Sequence, residues 1–222
     1  MKRKYNWLNH VFNFLAVILG VYLAFYMNER AKQNEDRKES MLLMNSLISD
    51  LSQDIEKYER YDIPVNIQYQ EKVLAVLDLL LADSTEGIGG PLSDIIGIEN
   101  YAPTTSTYSS MKSSGKLRLI DDLDLRKELT DFYEGFATES EMKGTYQVDY
   151  FTDELLLWLT MNVDLVDMQI LNKGELVVLR NKLFIYESLI SQKVESYKIV
   201  VDKSRELKQA IESTLKHQHG LK

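Results

Sequence analysis

A long apolar stretch lies near the start of the chain. Residues 7–27, WLNHVFNFLAVILGVYLAFYM, contain no Asp, Glu, Lys or Arg. As a helix rising ~1.5 Å per residue, this stretch spans about 31 Å, which is enough to cross a lipid bilayer. It lacks both the small residues of a signal-peptide cleavage site and the polar stripe of a buried core helix. The pattern predicts a retained transmembrane helix, which we call the apolar run.

Residues with strong helix propensity follow the apolar run. Neither Gly nor Pro occurs between Gly20 and Pro64, and residues 28–40 interleave acidic and basic side chains. The helix is therefore expected to continue as a stalk over residues 28–62. Along it, apolar residues alternate steps of three and four: Met41, Met44, Ile48, Leu51, Ile55 and Tyr58. This heptad pattern predicts packing against a helix of the same chain or of a second copy, with Met44, Ile48, Leu51 and Ile55 as an association seam.

Residues 63–222 continue the helical pattern, with turn residues between the helices. Helices are predicted over 65–82, near 92–96, from a cap at Thr104 or Thr105 to Gly115, from a cap at Asp121 or Asp122, and over about 174–216. Residues 155–168, LLLWLTMNVDLVDM, are apolar enough for the central core. The predicted fold class is all-α, with an N-terminal transmembrane helix continuing into an antiparallel bundle of long helices. Residues 1–6 then form a short basic head, and residues 63–222 form the bundle domain.

Composition and charge limit the classes of function. The chain has no Cys, which excludes disulfides, thiolate zinc sites and cysteine nucleophiles. Of 26 basic residues, Lys2, Arg3 and Lys4 precede the apolar run, so 23 remain against 34 acidic ones, a balance of about −11. Such a surface repels phosphate backbones, and no nucleic-acid partner is expected. The basic head favours residues 1–6 on the cytoplasmic side, with the bundle outside.

Residues 105–116, TSTYSSMKSSGK, contain the spacing Ser-x-x-Lys twice, as Ser109 to Lys112 and as Ser113 to Lys116. Penicillin-binding enzymes use this spacing for a serine nucleophile. Their Ser-Asp-Asn element is missing here, and the nearest match to Lys-Thr-Gly lacks the hydroxyl residue. The stretch is therefore interpreted as a connecting helix, and the protein is not expected to be an enzyme.

Acidic residues and histidines give no metal site by their spacing. Asp121, Asp122 and Asp124 lack the arrangement of a calcium loop and are interpreted as helix-capping residues. His217 and His219 form a terminal His-x-His, where metal binding is not expected. No catalytic residue, cofactor or metal is predicted.

Tyrosines and polar residues in the middle of the chain form the remaining candidate. Tyr101, Tyr108, Tyr133, Tyr146 and Tyr150 either line a pocket between helices or lie at the edge of the core. The candidate patch for a ligand or a partner, which we call the middle patch, consists of Tyr108, Lys112, Ser114, Lys116, Arg126 and Tyr133.

Two stretches carry a wider pattern: GVYLAFYMNE at 20–29 and TYSSMKSSGKLRLIDDLDLRKELTDFY at 107–133. The first ends an anchor in Asn28 and Glu29. The second has a Ser-Gly-x-Leu-x-Leu-Ile element, then Leu-Arg and an aromatic pair: Ser114, Gly115, Leu117, Leu119, Ile120, Leu125, Arg126, Phe132 and Tyr133. In this pattern the chain resembles an uncharacterised family of bacterial single-pass membrane proteins, a domain of unknown function. The resemblance implies an anchor and a helical domain, and it implies no activity, substrate or cofactor.

These observations lead to two functional hypotheses. In the first, the protein is anchored in the lipid bilayer and acts by protein–protein association, as a homo-oligomer or as an accessory subunit of another membrane protein. In the second, it is an extracytoplasmic module that senses a small ligand and signals through a membrane partner. Both hypotheses place the chain in the bacterial inner membrane, crossing once, with its bundle in the periplasm.

Overall fold

The computed structural model describes residues 5–82 and 84–220. Over this part of the chain the fold is all-α, as predicted, apart from one two-stranded hairpin. The basic head formed by Lys2, Arg3 and Lys4 and the side chain of His219 lie outside the described residues.

The first long helix runs from the apolar run to the opposite end of the bundle. It consists of α1 (Tyr5–Lys57), a π-helical turn (Tyr58–Asp62) and α2 (Ile63–Leu81). The sequence predicts separate helices before and after Pro64, whereas the structure has one. Pro64 does not end the helix because the wide π turn lies directly before it, where the regular hydrogen-bond ladder is already interrupted.

A return segment, residues 82–122, leads the chain back toward the apolar run. It contains α3 (Gly89–Asp94), α4 (Ser106–Ser113) and a 3-10 turn (Lys116–Leu119). Its successive contacts on the first long helix are Tyr69, Asp54 and Glu39. The return segment therefore lies along the first long helix and antiparallel to it.

Two further long helices complete the bundle. The second long helix comprises α5 (Leu123–Asp131), a π turn (Phe132–Phe136), α6 (Ala137–Tyr150), another π turn (Phe151–Leu156) and α7 (Leu157–Asn162). A hairpin of β1 (Val163–Asp164) and β2 (Gln169–Ile170) and a 3-10 turn (Lys173–Glu175) lead into the third long helix, α8 (Leu176–Gly220). In the hairpin, Val163 pairs with Ile170 and Asp164 with Gln169.

The third long helix is antiparallel to the other two. Near its start, Lys182 forms an ion pair with Glu154 at 2.5 Å. Further along, Lys203 lies over the ring of Phe136, nearer the beginning of the second long helix. Contacts with the first long helix follow the same reversed order. The bundle thus has the antiparallel arrangement that the sequence predicts.

The apolar run stands clear of the bundle. One helix in the described part of the chain is long and apolar enough to cross a membrane, judged by length and composition. Its most apolar window has a mean hydropathy of 1.8 and is not buried at all. The side chains described between Trp7 and Asn34 are all exposed, and the helix first becomes fully buried at Ser40.

Buried apolar side chains form two clusters among the described residues. One lies on the side of the apolar run and includes Met44 and Ile211. The other includes Leu77 and Leu155 and lies toward the end formed by the hairpin and the loop after α2, which we call the distal end. A Cβ atom on Gly89 would lie only 3.0 Å from the Met168 carbonyl oxygen, so the hairpin and the return segment are closely packed there.

The π turn of the first long helix keeps its buried face in register. On the first long helix, the buried positions alternate steps of three and four up to Tyr58 and then follow two steps of four, at Asp62 and Asn66. In a regular α-helix, which turns about 100° per residue, repeated steps of four rotate a stripe away from the core. The extra residue of the π turn compensates for this rotation, so Asp62 and Asn66 stay buried.

Candidate functional site

Three residues of the middle patch form one cluster: Tyr108 and Lys112 bind Glu134, and Tyr133 stacks on Tyr108. Tyr108 and Tyr133 are buried, and their rings stack with centroids 4.5 Å apart. The Tyr108 hydroxyl donates to Glu134 Oε1 at 2.5 Å, and Lys112 Nζ donates to the same oxygen at 2.6 Å. These hydrogen bonds from Lys112 and Tyr108 lower the pKa of Glu134, while burial raises the pKa of the Tyr108 hydroxyl. The cluster joins α4 to the second long helix.

The other members of the middle patch lie apart from this cluster. Ser114 donates to the Ser110 carbonyl oxygen at 2.6 Å, within its own turn. Lys116 pairs with Glu39 of the stalk at 2.7 Å, and Arg126 is half-buried on α5. The two lysines of the Ser-x-x-Lys spacings are thus paired with carboxylates.

The five tyrosines considered for a pocket do not surround one space. Tyr146 is 57% exposed. The Tyr150 hydroxyl donates to the Lys182 carbonyl oxygen at 3.3 Å, and Tyr101 binds Asp54. Tyr108 and Tyr133 stack on each other. The five tyrosines therefore fit the second alternative, residues at the edge of the core, better than a shared pocket.

The association seam is filled by the chain itself. Met44 and Leu51 are completely buried against side chains of the same chain, and Ile48 and Ile55 are half-buried at the margin of this cluster. Of the two partners that the heptad pattern allows, the structure selects a helix of the same chain. A second protein has no access to Met44 or Leu51 in this fold.

Asp54 fastens the return segment to the first long helix. Its side chain is 1% exposed and accepts hydrogen bonds from the Tyr101 hydroxyl at 2.7 Å and from the Thr104 amide and hydroxyl, both at 2.8 Å. Thr105 occupies the predicted N-cap position of α4, but its side chain makes no capping hydrogen bond, and the Thr104 hydroxyl donates to Asp54.

A polar layer separates the two apolar clusters in the middle of the bundle. At its centre, Lys193 of α8 has no exposed surface. Lys193 Nζ donates to Gln147 Oε1 at 2.8 Å and to the Glu99 carbonyl oxygen at 2.7 Å. Gln147 in turn donates to the Tyr186 hydroxyl at 2.6 Å. One lysine therefore ties the third long helix to both the second long helix and the return segment.

The same layer positions the side chain of Asn100. The Tyr197 hydroxyl donates to Asn100 Oδ1 at 3.1 Å. A Cβ atom on Gly144 would lie only 2.1 Å from that oxygen. The side chain of Asn100 thus occupies the space that the missing Cβ atom of Gly144 leaves on the second long helix.

Loss of contact with water dominates the electrostatics of this layer. Burial lowers the pKa of Lys193 to about 8, against the opposing effect of the negative charges of Asp62 and Glu99. Burial also raises the pKa of Asp62, which Lys57 and Lys193 partly offset. Burial raises the pKa of Tyr186 as well. In each case burial favours the neutral form of the side chain over the charged form.

The buried lysine predicts that the bundle becomes more stable in mild alkali. The unfolded chain keeps Lys193 protonated up to its ordinary pKa of 10.5, whereas the folded chain releases the proton near 8. Between these values the unfolded state binds more protons at Lys193, so the free energy of unfolding is expected to rise by about 0.5–1 kcal/mol from pH 7.5 to pH 9. Urea unfolding of residues 36–222 measures this change.

Two variants test the assignment of that pH dependence. Lys193→Met is expected to flatten the rise, and Lys198→Met, at an exposed position on the same helix, is expected to retain it. An unchanged slope in Lys193→Met would assign the pH dependence to another group. The series ends at pH 9 because the tyrosines that burial keeps neutral in the folded chain ionise in the unfolded chain above it, and this reverses the sign of the slope.

Sequence reasoning missed both Asp54 and Lys193, although a three–four spacing that admits charged residues includes them in place of Ile55 and Val194. Asp54 follows Leu51 by three residues and precedes Tyr58 by four. Lys193 follows Ile190 by three residues and precedes Tyr197 by four. A charged residue at a packing position is a signal for a buried polar contact. A heptad pattern defined by apolar residues alone leaves these charged residues out.

The distal end exposes a concentration of large apolar side chains. Val166, in the turn of the hairpin, is 90% exposed. Seven neighbours in the three chain segments that reach this end are 38–72% exposed: Leu81, Leu157, Met161, Leu165, Leu171, Val177 and Val178. Residues 155–168, which the sequence places in the central core, are therefore only partly buried, since their second half forms the hairpin at the distal end.

An open groove of about 710 Å³ lies at the other end of the bundle, between the stalk and the 3-10 turn of the return segment. Its lining mixes basic residues, such as Lys32 and Arg118, with acidic ones, such as Asp36 and Asp121. Since charges of both signs line the groove, its lining does not select an anionic or a cationic ligand.

The fold defines an all-α protein in which one continuous helix carries an exposed apolar run into a bundle. A family model described as a family of unknown function, DUF6090, matches residues 13–155. This match covers more than half of the chain, so the protein belongs to that family. No curated protein and no solved structure matches the chain.

Proposed function

We propose that this protein is a single-pass membrane protein whose bundle acts by association with another protein. The observation that carries the proposal is the distribution of exposed large apolar side chains, which concentrate in the apolar run and at the distal end. Soluble surfaces usually carry such residues singly, and larger exposed apolar areas are typical of contacts with lipid or protein.

The apolar run serves as the anchor in this proposal. Its length, its composition and its exposure all suit a helix surrounded by lipid. The basic head favours the N-terminus on the cytoplasmic side of a bacterial inner membrane. The bundle then stands in the periplasm, carried by the same helix.

The association surface lies outside the heptad seam, because the chain's own helices fill that seam. The middle patch also offers little free surface, since Tyr108 and Tyr133 are buried and Lys112 is paired with Glu134. The distal end thus becomes the favoured contact region for an accessory subunit of a membrane complex.

Native mass spectrometry tests the proposal on the full-length protein, extracted from its own membranes in a mild nonionic detergent. The expected result is a complex of fixed stoichiometry with another polypeptide, from protein that stays in the membrane fraction after carbonate washing. The control variant Leu15→Lys/Leu19→Lys, with two charges in the apolar run, is expected to leave the membrane fraction. A bare monomer would contradict association, and a monomer with a persistent small-molecule mass would favour the ligand-sensing hypothesis.

A further inference from the structure

The distal end combines its apolar surface with a one-sided charge distribution. No Lys or Arg occurs between Lys72 and Lys112 or between Lys143 and Lys173. These two stretches contain α3, α7 and the hairpin, together with the acidic residues Asp78, Glu86, Asp94, Asp149, Asp153, Glu154, Asp164 and Asp167. The exposed apolar side chains at the distal end therefore have mainly acidic neighbours, with Lys173 and Arg180 as basic residues on the side of α8.

Charge complementarity restricts what can cover this surface. A second copy meeting the same surface would bring carboxylates toward carboxylates, which is unfavourable at an interface. An anionic lipid surface would be repelled in the same way, because binding to it depends on Lys and Arg. A partner surface with apolar residues flanked by Lys and Arg would bury the apolar residues of the distal end and pair with its acidic residues.

We infer that the distal end, centred on the hairpin, is a docking surface for a different protein that presents apolar residues flanked by Lys and Arg. This inference rests on the proposed function and names the surface and the partner chemistry. Val166 and Leu171 supply the apolar centre, with 90% and 68% of their side chains exposed. Exposed acidic residues of the stretches that form this end supply the negative charge: Asp167 in the hairpin turn, Glu86 in the loop before α3, and Asp153 on the second long helix before α7.

Site-specific photo-crosslinking in the native membrane tests the surface in the full-length chain. A photoreactive benzoylphenylalanine replaces Val166 or Leu171 in the test variants and Leu42 or Leu123 in the control variants. Both control positions are 69% exposed and lie away from the distal end. We expect the distal positions to give roughly tenfold more adduct with one other protein than the controls. The crosslinked peptide of that protein is expected to contain apolar residues next to Lys or Arg.

Matched charge variants test the role of the acidic residues. Glu86→Gln/Asp153→Asn/Asp167→Asn removes three charges at the distal end. Glu128→Gln/Asp131→Asn/Glu141→Gln removes three exposed charges elsewhere, so both variants have the same net charge. We expect the distal variant to lower the adduct yield about fivefold at low salt and the control variant to leave it unchanged.

The outcomes separate this inference from the proposed function. Adducts with a second copy, adducts with lipid, equal labelling from all positions or equal loss in both charge variants would each overturn the docking surface. If native mass spectrometry shows a hetero-complex but the distal positions give no adduct, association stands and the distal surface is wrong. If the protein is a monomer and no position gives an adduct, both proposals fail.

Discussion

Replacing Asp54 by alanine is expected to lower the free energy of unfolding by about 3 kcal/mol, because buried donors that lose their acceptor each cost 1–3 kcal/mol. The carboxylate accepts hydrogen bonds from Tyr101 and Thr104, and these bonds fasten the return segment to the first long helix in the middle of the bundle. Urea unfolding of residues 36–222 measures the loss.

In Asp54→Ala the loss of stability is expected to appear first as local opening of the return segment, and then as unfolding of the whole bundle. Amide hydrogen exchange at Thr104 should become faster in Asp54→Ala, since its N–H loses its acceptor. Glu56→Ala is the matched control, because Glu56 lies on the same helix and pairs only with exposed Arg60. Its expected effect is below about 0.5 kcal/mol. Equal losses in the two variants would show that Asp54 contributes no more than a surface carboxylate.

Replacing Gly144 by alanine is expected to destabilise the bundle by about 2 kcal/mol, as is typical of overpacking. The added methyl group would lie 2.1 Å from Asn100 Oδ1, so Asn100 must move and its hydrogen bond from Tyr197 must break. The expected sign is opposite to that of helix propensity, by which alanine stabilises a helix relative to glycine. Thermal and urea unfolding both report the change.

Gly135→Ala is the matched control for Gly144→Ala. Gly135 lies on the same long helix, and a Cβ atom there would meet no neighbour within 4 Å. This variant is expected to stabilise the bundle by about 0.5–1 kcal/mol. Stabilisation by both substitutions would mean that Asn100 moves without cost and that the packing at Gly144 is loose.

Local signals predicted the elements well where one short-range interaction decides them. Asp122 caps α5 by accepting from the amides of Asp124 and Leu125, which is one of the two caps that the sequence allowed. Gly115 adopts a φ of +70° after α4, as a helix-ending glycine should. Met44, Leu51 and Tyr58 are buried as their spacing predicts.

Other features depend on long-range packing, which no local pattern records. The helix passes Pro64 because a π turn keeps Asp62 and Asn66 facing the core. The apolar stretch at 155–168 leaves the core because the chain must turn there to begin α8, so Val166 ends up in the hairpin turn. The members of the middle patch lie in separate contacts: Lys116 pairs with Glu39 of the stalk, whereas Tyr108 and Lys112 bind Glu134.

The continuous first long helix also fixes the distance between the apolar run and the distal end. From residue 28, just beyond the apolar run, to Leu81 at the distal end, a rise of ~1.5 Å per residue gives about 80 Å. No loop interrupts this length, and from Ser40 onward the other helices brace it. In the proposed arrangement, with the apolar run in a membrane and the helix perpendicular to it, the distal end would lie about 80 Å from the bilayer, and a partner would have to present its docking surface at that distance. A partner whose complementary surface lies closer to the membrane would not contact the distal end.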